Sequence, residues 1–324
     1  MMKLQQLRYF FEIEKQQLNI SKAASILCTS QSGISKQIKL LEQELGTNLF
    51  ERNGRKITAL TKAGEQILVL AKNALNIIDD IKQTAEEFTN NQKSIAIATT
   101  HTQALYVLPV IVEQFLSLHP EINLTIHQGT PEQVASLLEQ GDVDIAIATE
   151  VLASRKMLVS LPCYQWSRSV ITKKNHPLAE KKQLKLEDIV KYPIITYVTG
   201  FTGRHRQDEI FDKHQLHPNI VLTAVDADVI KTYVRLGLGI GIIADMAISK
   251  DQDTDLIALN AKHLFGMTTS QIAIKKSQYI KPYLFPFIEL FAPHLTQKLI
   301  RQAIECVDLD DRKQLFSNVS IPMY

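Results

Sequence analysis

The sequence predicts an α/β protein made of an N-terminal winged helix-turn-helix, a long linker helix and a C-terminal bilobed α/β body. Three observations predict it. Residues 23–50 carry helical periodicity that breaks at a short polar turn and then resumes, residues 67–88 carry an apolar heptad pattern, and from residue 94 strands and helices alternate. At 324 residues the chain is longer than one hydrophobic core usually supports, so at least two domains are expected.

The first element follows from the run AASILCTSQSGISKQIKLLEQELGTNLF. Ala23 and Ala24 are small enough for two helices to cross closely, and Ile26 and Leu27 supply apolar surface where the first helix should end. Cys28 and Thr29 make the turn. Ser30 is a good N-cap because its hydroxyl can accept from an unsatisfied amide. Ile34, Ile38, Leu41 and Leu45 then recur at four, three and four residues as one inward stripe, leaving Gln31, Ser32, Ser35, Lys36 and Lys39 outward. That outward set joins amide, hydroxyl and cationic groups, the chemistry that reads base edges and grips phosphates. An isolated helix of this kind could equally present a solvated polar face. The flanks weigh against that reading, because Arg52, Arg55 and Lys56 surround the turn dipeptide Asn53-Gly54 and form a basic hairpin wing.

Charge supports the same assignment independently. The first 64 residues hold ten Lys or Arg against five Glu, a surplus of five, whereas the whole chain carries only +2. Positive charge therefore gathers where the helix-turn-helix lies, which implies attraction to phosphate and binding that weakens as salt rises.

Ile67, Ala71, Ala74, Ile78, Ile81, Ala85 and Phe88, widened by Leu68 and Leu75, form the heptad seam. Such a stripe either packs on its own domain or dimerises. Its length, roughly 33 Å over 22 residues, favours a dimerising linker helix that presents two heads to a two-fold symmetric site. The polar stretch 89–94 reads as a hinge.

Beyond it, strands are predicted at 94–99, 123–128, 144–148, 193–198, 220–223, 239–244 and 270–275, with residues 158–172 extended. Helices are predicted at 103–118, 132–140, 186–191, 203–214, 228–236 and 282–291, the last returning to the first lobe. The expected organisation is 1–64 head, 65–93 linker and hinge, and 94–324 effector domain, with lobe I at about 94–162 and 269–306 and lobe II at about 163–268. A parallel layout crossed twice makes a hinged cleft of the periplasmic-binding-protein type. Ligands of open α/β sheets bind outside the carboxyl ends of the strands. Three hydroxyl-rich segments sit there: residues 99–103 (TTHTQ), Thr149 with Glu150, and residues 200–203 (GFTG). They suit a small oxyanion or carboxylate, although each threonine taken alone could be a helix cap.

Residues 1–64 resemble the winged helix-turn-helix of the LysR-type transcriptional regulators, through LQQLRYF, AASIL, SQSGISKQIKLLEQELG and LFERNGRKITALTKAG. Ser32 departs from the pattern, which usually has Pro there. The effector-domain stretches ATTHTQ (98–103), DIAIATE (144–150), LPCYQW (161–166), GFTGR (200–204), AVDADVIKTYVRLGLG (224–239) and APHLT (292–296) are similar to the branch of that family that activates sulfate assimilation and cysteine biosynthesis. The resemblance implies DNA-binding residues Ser30, Gln31, Ser32, Ser35, Lys36, Lys39, Arg52, Arg55 and Lys56. It implies an anion held by Thr100, Thr102, Gln103, Thr149 and Thr202 with Trp166 as a cavity aromatic, while Gln165 and Ser167 depart from the branch. It further implies a tetramer built from linker-helix dimers, promoter DNA and RNA polymerase as partners, and N-acetylserine or O-acetylserine as inducer. Sulfate or a similar anion can occupy the same site, and sulfide or thiosulfate oppose the inducer. A related branch governs organic sulfur sources.

Other chemistries are disfavoured. Gly239-x-Gly241-x-x-Ala244 matches a dinucleotide fingerprint on paper, but it follows a helix and leads into a strand, the reverse of the required order, so no cofactor is expected. His205, His214 and His217 lack a completing ligand set, so no metal is expected. Cys28, Cys163 and Cys306 match neither a disulfide framework nor a zinc spacing. No Gly-x-Ser-x-Gly elbow is present, no apolar run approaches the roughly 20 residues of a membrane span, and the N-terminus is an amphipathic helix, so a cytoplasmic regulator is expected rather than an enzyme or solute receptor.

Overall fold

A computed structural model describes residues 2–324 apart from Arg55, Asn91, Gln92, Thr202, Ser277 and Val307; the side chains of Asp80, Gln83, Thr84 and residues 86–90 are also outside the description. The chain divides into two compact units, residues 1–91 and 92–324.

The first unit begins with α1 (Leu4–Lys15), α2 (Ile20–Ile26) and α3 (Gln31–Leu45). Their apolar faces meet at Leu7, Phe10, Ile13, Ala23, Ala24, Ile34, Ile38 and Leu41, and Phe10 meets Phe50 edge to face with centroids 5.3 Å apart. Leu45, the last member of the expected stripe, is 37% exposed, because it lies in the final turn before Gly46 ends the helix in the left-handed region. The wing is an antiparallel hairpin of β1 (Phe50–Asn53) and β2 (Lys56–Leu60), turning at Gly54 (φ 62°). Next comes α4 (Lys62–Asn90), 29 residues and about 44 Å long. Gly64 is required in its first turn, since a Cβ there would sit 2.1 Å from the Leu49 carbonyl oxygen.

The linker helix corrects one expectation. Ala71 and Leu75 are buried in the head's own core, with Ile67, Leu68 and Ala74 packed against it. The apolar face left outward is Val69, Leu70, Ile77 and Ile81, each at least half exposed. The heptad thus splits: its first half serves the head, and the outward stripe is rotated towards Leu70 and Ile77, with Ile81 and Ala85 the exposed seam members among the described side chains. Phe88 of the expected seam, and Asn91 and Gln92 of the expected hinge, lie outside the described side chains or residues.

The second unit holds two five-stranded sheets. The first contains β3 (Lys93–Thr99), β4 (Ile122–Gln128), β5 (Ile145–Ala148), β6 (Leu158–Trp166) and β12 (Thr268–Lys275) in the order β4-β3-β5-β12-β6. It is flanked by α5 (His101–Tyr106), α6 (Leu108–Leu118), α7 (Pro131–Gln140), α8 (Val151–Ser154), α13 (Leu284–Phe291), α14 (Gln297–Glu305) and α15 (Leu309–Phe316). The second contains β7 (Arg168–Lys173), β8 (Ile194–Tyr197), β9 (Ile220–Ala224), β10 (Ile240–Ala244) and β11 (Leu256–Asn260) in the order β11-β7-β10-β8-β9, with α9 (Leu186–Ile189), α10 (Arg204–Lys213), α11 (Ala227–Arg235) and α12 (Lys262–Phe265). In each sheet four strands run in one direction, and the expected parallel layout becomes mixed because β12 runs antiparallel to β5 and β6, and β7 to β10 and β11.

Two predicted elements prove to be pairs. The extended run 158–172 is β6 and β7 in different sheets, separated at Ser167, which is where the chain crosses between lobes. The helix expected over 103–118 starts at His101 and breaks at Val107. Pro109, at the second position of α6, cannot donate to the preceding turn. Strand β11 and helices α14 and α15 had no counterpart in the sequence reading. The return of α13 to the first lobe holds: Leu284, Phe287, Ile288 and Phe291 join the core formed by Ile97, Ile145, Leu161 and Trp166.

Candidate DNA interface and effector site

In the head, the turn between α2 and α3 is built as the sequence suggested. Cys28 takes φ 50°, and the Ser30 hydroxyl accepts from the Gly33 amide at 3.0 Å. Ser30 is therefore first a cap. Gln31, Ser32, Lys36 and Lys39 are exposed and Ser35 is half-buried on one side of α3, while Lys56 is exposed on the wing. Ser35, Lys36, Lys39 and Arg52 line a groove along that side. Ser32 sits 3.2 Å from the Ser30 hydroxyl and joins the capping group that a proline could not join. Arg52 is tied at 3.0 Å to Glu42, whose other oxygen accepts from the amides of Leu49 and Phe50 at 2.9 and 3.3 Å, so this buried carboxylate fixes the wing against α3. Arg55 lies outside the described residues.

The candidate effector site lies at the carboxyl ends of the strands of both sheets. Register places Thr99 opposite Ile147 and Gln271 opposite Ala148, so Thr100 after β3, Thr149 after β5 and Ser270 of β12 come to one edge. Thr100 caps α5 through its backbone alone, making no side-chain cap bond, which leaves its half-buried hydroxyl uncommitted to the helix. Thr102, Gln103, Thr149 and Trp166 are buried. Sequence reasoning thus named a set that the fold does bring together; Thr202 lies outside the described residues.

Several partners of that set were not legible. The Gln103 amide donates to the Ser270 hydroxyl at 3.0 Å and its oxygen accepts from the Tyr164 hydroxyl. Trp166 Nε1 donates to the same Ser270 oxygen at 3.1 Å. From the second lobe, the Tyr197 hydroxyl accepts from the Ala244 amide at 3.3 Å. Arg168 opens β7 and is 1% exposed. Its guanidinium donates to Thr268 at 3.3 Å and to the Gly203 carbonyl at 3.1 Å, and lies 5.2 Å from the Trp166 ring. Burial lowers its pKa from the usual guanidinium value, yet an arginine stays charged in proteins, so a fixed cation is held between the lobes. Gly203 accommodates it: φ is 65°, and a Cβ would come within 2.0 Å of Arg168 Nη2. The available signal was an arginine opening the otherwise uncharged run RSVIT.

A second set of contacts joins the lobes at the rim. Tyr106 of α5 donates to Asp228 at 2.7 Å, and Lys231 Nζ reaches the Tyr106 oxygen at 3.0 Å and Asp253 at 3.1 Å. Burial works to raise the carboxyl pKa of Asp228, but the Tyr106 bond and the Lys231 charge outweigh it and hold the value below the ordinary range. Burial and the neighbouring carboxylate push the Tyr106 phenol up. His101 lies 3.6 Å from Asp228, and with Asp226 these form the set of possible cation ligands found among the described residues. His205 and His214 take no part in it: His205 pairs with Glu209 and His214 meets the Ile210 carbonyl.

Residues 4–65 match the bacterial regulatory helix-turn-helix protein, lysR family, and residues 89–296 match the LysR substrate binding domain. The chain belongs to the LysR family of transcriptional regulators. It is similar to the HTH-type transcriptional regulator CysB of Haemophilus influenzae, 46% identical with 99% of each chain covered. It is also similar to the HTH-type transcriptional regulator SsuR of Burkholderia cenocepacia, 42% identical over 94% of this chain and 100% of the relative. Among solved structures, the cofactor-binding domain of the Cbl transcriptional regulator superposes with TM-score 0.63 at 42% identity, covering 66% of this chain and 95% of that one. As a LysR-family member the chain is a DNA-binding regulator rather than an enzyme, and its second unit is the family's small-molecule-binding domain. No helix among the described residues is long and apolar enough to cross a membrane.

Proposed function

We propose that this LysR-family regulator activates genes of sulfate assimilation and cysteine biosynthesis, and that N-acetylserine or O-acetylserine binding between its lobes is the signal. The observation that supports the reading is the pairing of a hydroxyl and amide cluster on one lobe, Thr100, Thr102, Gln103 and Thr149, with the buried Arg168 cation presented by the other. A carboxylate matches a fixed guanidinium, and the hydroxyls match carboxylate and acyl oxygens. Sulfate fits the same donors. Thr202 is assigned to the same site from its motif. Because Thr102, Gln103 and Thr149 are buried as the lobes stand, ligand entry requires the lobes to part, and the bound ligand favours one inter-lobe angle over another.

On the DNA side, Gln31, Ser32, Ser35, Lys36 and Lys39, aided by Ser30, Arg52, Arg55 and Lys56, contact a two-fold symmetric promoter site. The outward stripe of Leu70, Ile77 and Ile81 is where a second copy packs, giving linker-helix dimers and then a tetramer. A changed lobe angle alters the spacing of the heads and hence DNA bending, which acts on RNA polymerase in the cytoplasm. The likeness to the Cbl domain favours one second reading, control of organic sulfur use, with the same site chemistry.

Isothermal titration of the full chain with N-acetylserine tests the assignment. Saturable binding that Thr102→Ala weakens at least tenfold supports it. Equal binding by wild type and Thr102→Ala moves the ligand elsewhere, and no binding to wild type excludes this inducer.

A further inference from the structure

The strand β6 is at the edge of the first sheet, and residues 322–324 cover that edge. The Gln165 amide donates to the Pro322 carbonyl at 2.8 Å, the Tyr324 amide donates to the Gln165 carbonyl at 2.9 Å, and Met323 pairs with Gln165 in parallel. An edge covered in this way is protected from stray pairing, which by itself would be a sufficient role. The side chain of Tyr324 does more.

Two paths lead from it, and both end on α5. Its ring stacks against Tyr164 with centroids 5.3 Å apart, and the Tyr164 hydroxyl donates to the side-chain oxygen of Gln103. Its hydroxyl donates to the main-chain carbonyl of Tyr106 at 2.8 Å. Tyr106 is the last residue of α5, where a helix leaves carbonyls without intrahelical partners, so the Tyr324 hydroxyl satisfies the end of this short helix. Helix α5 also carries Thr102 and Gln103, and Tyr106 is the residue that reaches Asp228 and Lys231 of the other lobe. Met323 and Tyr324 are 52% and 53% exposed, so the segment lies on the surface and is held by these few bonds.

We infer that residues 322–324 act as a strap that positions α5, and that Tyr324 is a positioning residue for the effector site, setting Gln103 through Tyr164 and the end of α5 through the Tyr106 carbonyl. The inference rests on the inter-lobe reading of the effector site. The chain has one tryptophan, Trp166, which shares the Ser270 hydroxyl with Gln103, so the network reports on itself without any ligand.

The test uses the full chain with Tyr324→Ala, Tyr324→Phe and wild type. Trp166 emission and lifetime are recorded in the absence of ligand, followed by titration with N-acetylserine and then with operator DNA. Tyr324→Ala removes ring and hydroxyl together, so ligand-free Trp166 emission shifts and N-acetylserine affinity falls roughly tenfold. Tyr324→Phe keeps the ring, restores the emission and loses only about threefold in affinity. Ligand-free DNA affinity stays at the wild-type value in both. Tyr324→Ala with wild-type emission overturns the strap, whatever its melting temperature. A shifted emission in a protein whose wild type ignores N-acetylserine upholds the strap and rejects the inducer instead.

Discussion

Replacing Gly203 with Ala puts the central electrostatic feature of the proposed effector site under direct strain. The φ of 65° costs an alanine about 1–2 kcal/mol. In addition, the new Cβ would fall 2.0 Å from Arg168 Nη2. The guanidinium cannot slide away freely, because it is bonded to Thr268 and lies over Trp166, so its bond to the Gly203 carbonyl must be given up. A hydrogen bond to a charged group contributes about 1.5–3 kcal/mol, giving a combined loss of about 3–5 kcal/mol. Gly200→Ala is the matched control, with φ 88° in the same loop and nothing within 4 Å of its Cβ, so it suffers the backbone strain alone. For a domain of about 230 residues, 1 kcal/mol moves the melting temperature by roughly 2–4 °C. Trp166 fluorescence follows the melting of this domain specifically. The expected fall is about 2–8 °C for Gly200→Ala and about 3–12 °C more for Gly203→Ala, with weakened N-acetylserine binding only in the latter. Equal melting of the two variants and unchanged affinity would refute the placement of Arg168 in the site.

Three further outcomes are expected. Lys36→Ala or Lys39→Ala should weaken binding to specific and random DNA alike and reduce the salt slope by about one, measured by titration at several salt concentrations. Ile77→Glu should dissociate the dimer, read by sedimentation, whereas Ala71→Glu should unfold the head, because Ala71 is buried in its core and Ile77 is outward. Acid should loosen the second lobe. For Asp253, burial opposes ionisation, but bonds from the Ser249 amide, Arg235 and Lys231 hold its carboxyl below the ordinary value. The stability it contributes is therefore complete above the unfolded carboxyl pKa of about 3.9 and is lost as pH falls through the lower folded value. Urea midpoints measured from pH 5 down to pH 3 should drop, and Asp253→Asn should flatten that drop.

The head was legible because its constraints are local. The Ser30 cap, the Gly46 stop and the Asn53-Gly54 turn are each set by residues a few positions apart, and the structure has all three. The division of α4 was not legible, since a heptad shows which residues share a face but not which neighbour covers it. Ala71 and Leu75 face the head only because α1 lies there. In the effector domain the strand ends pointed to the segments at Thr100 and Thr149, and register alone brings those two together. Arg168, Tyr164, Ser270 and Tyr324 escaped notice because their roles depend on pairings 35 to 218 residues away in sequence. The crossover at Ser167 was hidden inside one unbroken extended run.

The most direct measurement is fluorescence anisotropy of a labelled promoter fragment from a sulfate-assimilation gene, titrated with the full chain in the presence and absence of N-acetylserine. The account predicts tight, salt-sensitive binding whose affinity or limiting anisotropy changes with the acetylserine and no longer changes in Thr102→Ala. Tight binding that ignores the acetylserine would contradict the proposed inducer, and absence of binding would contradict the proposed promoter target.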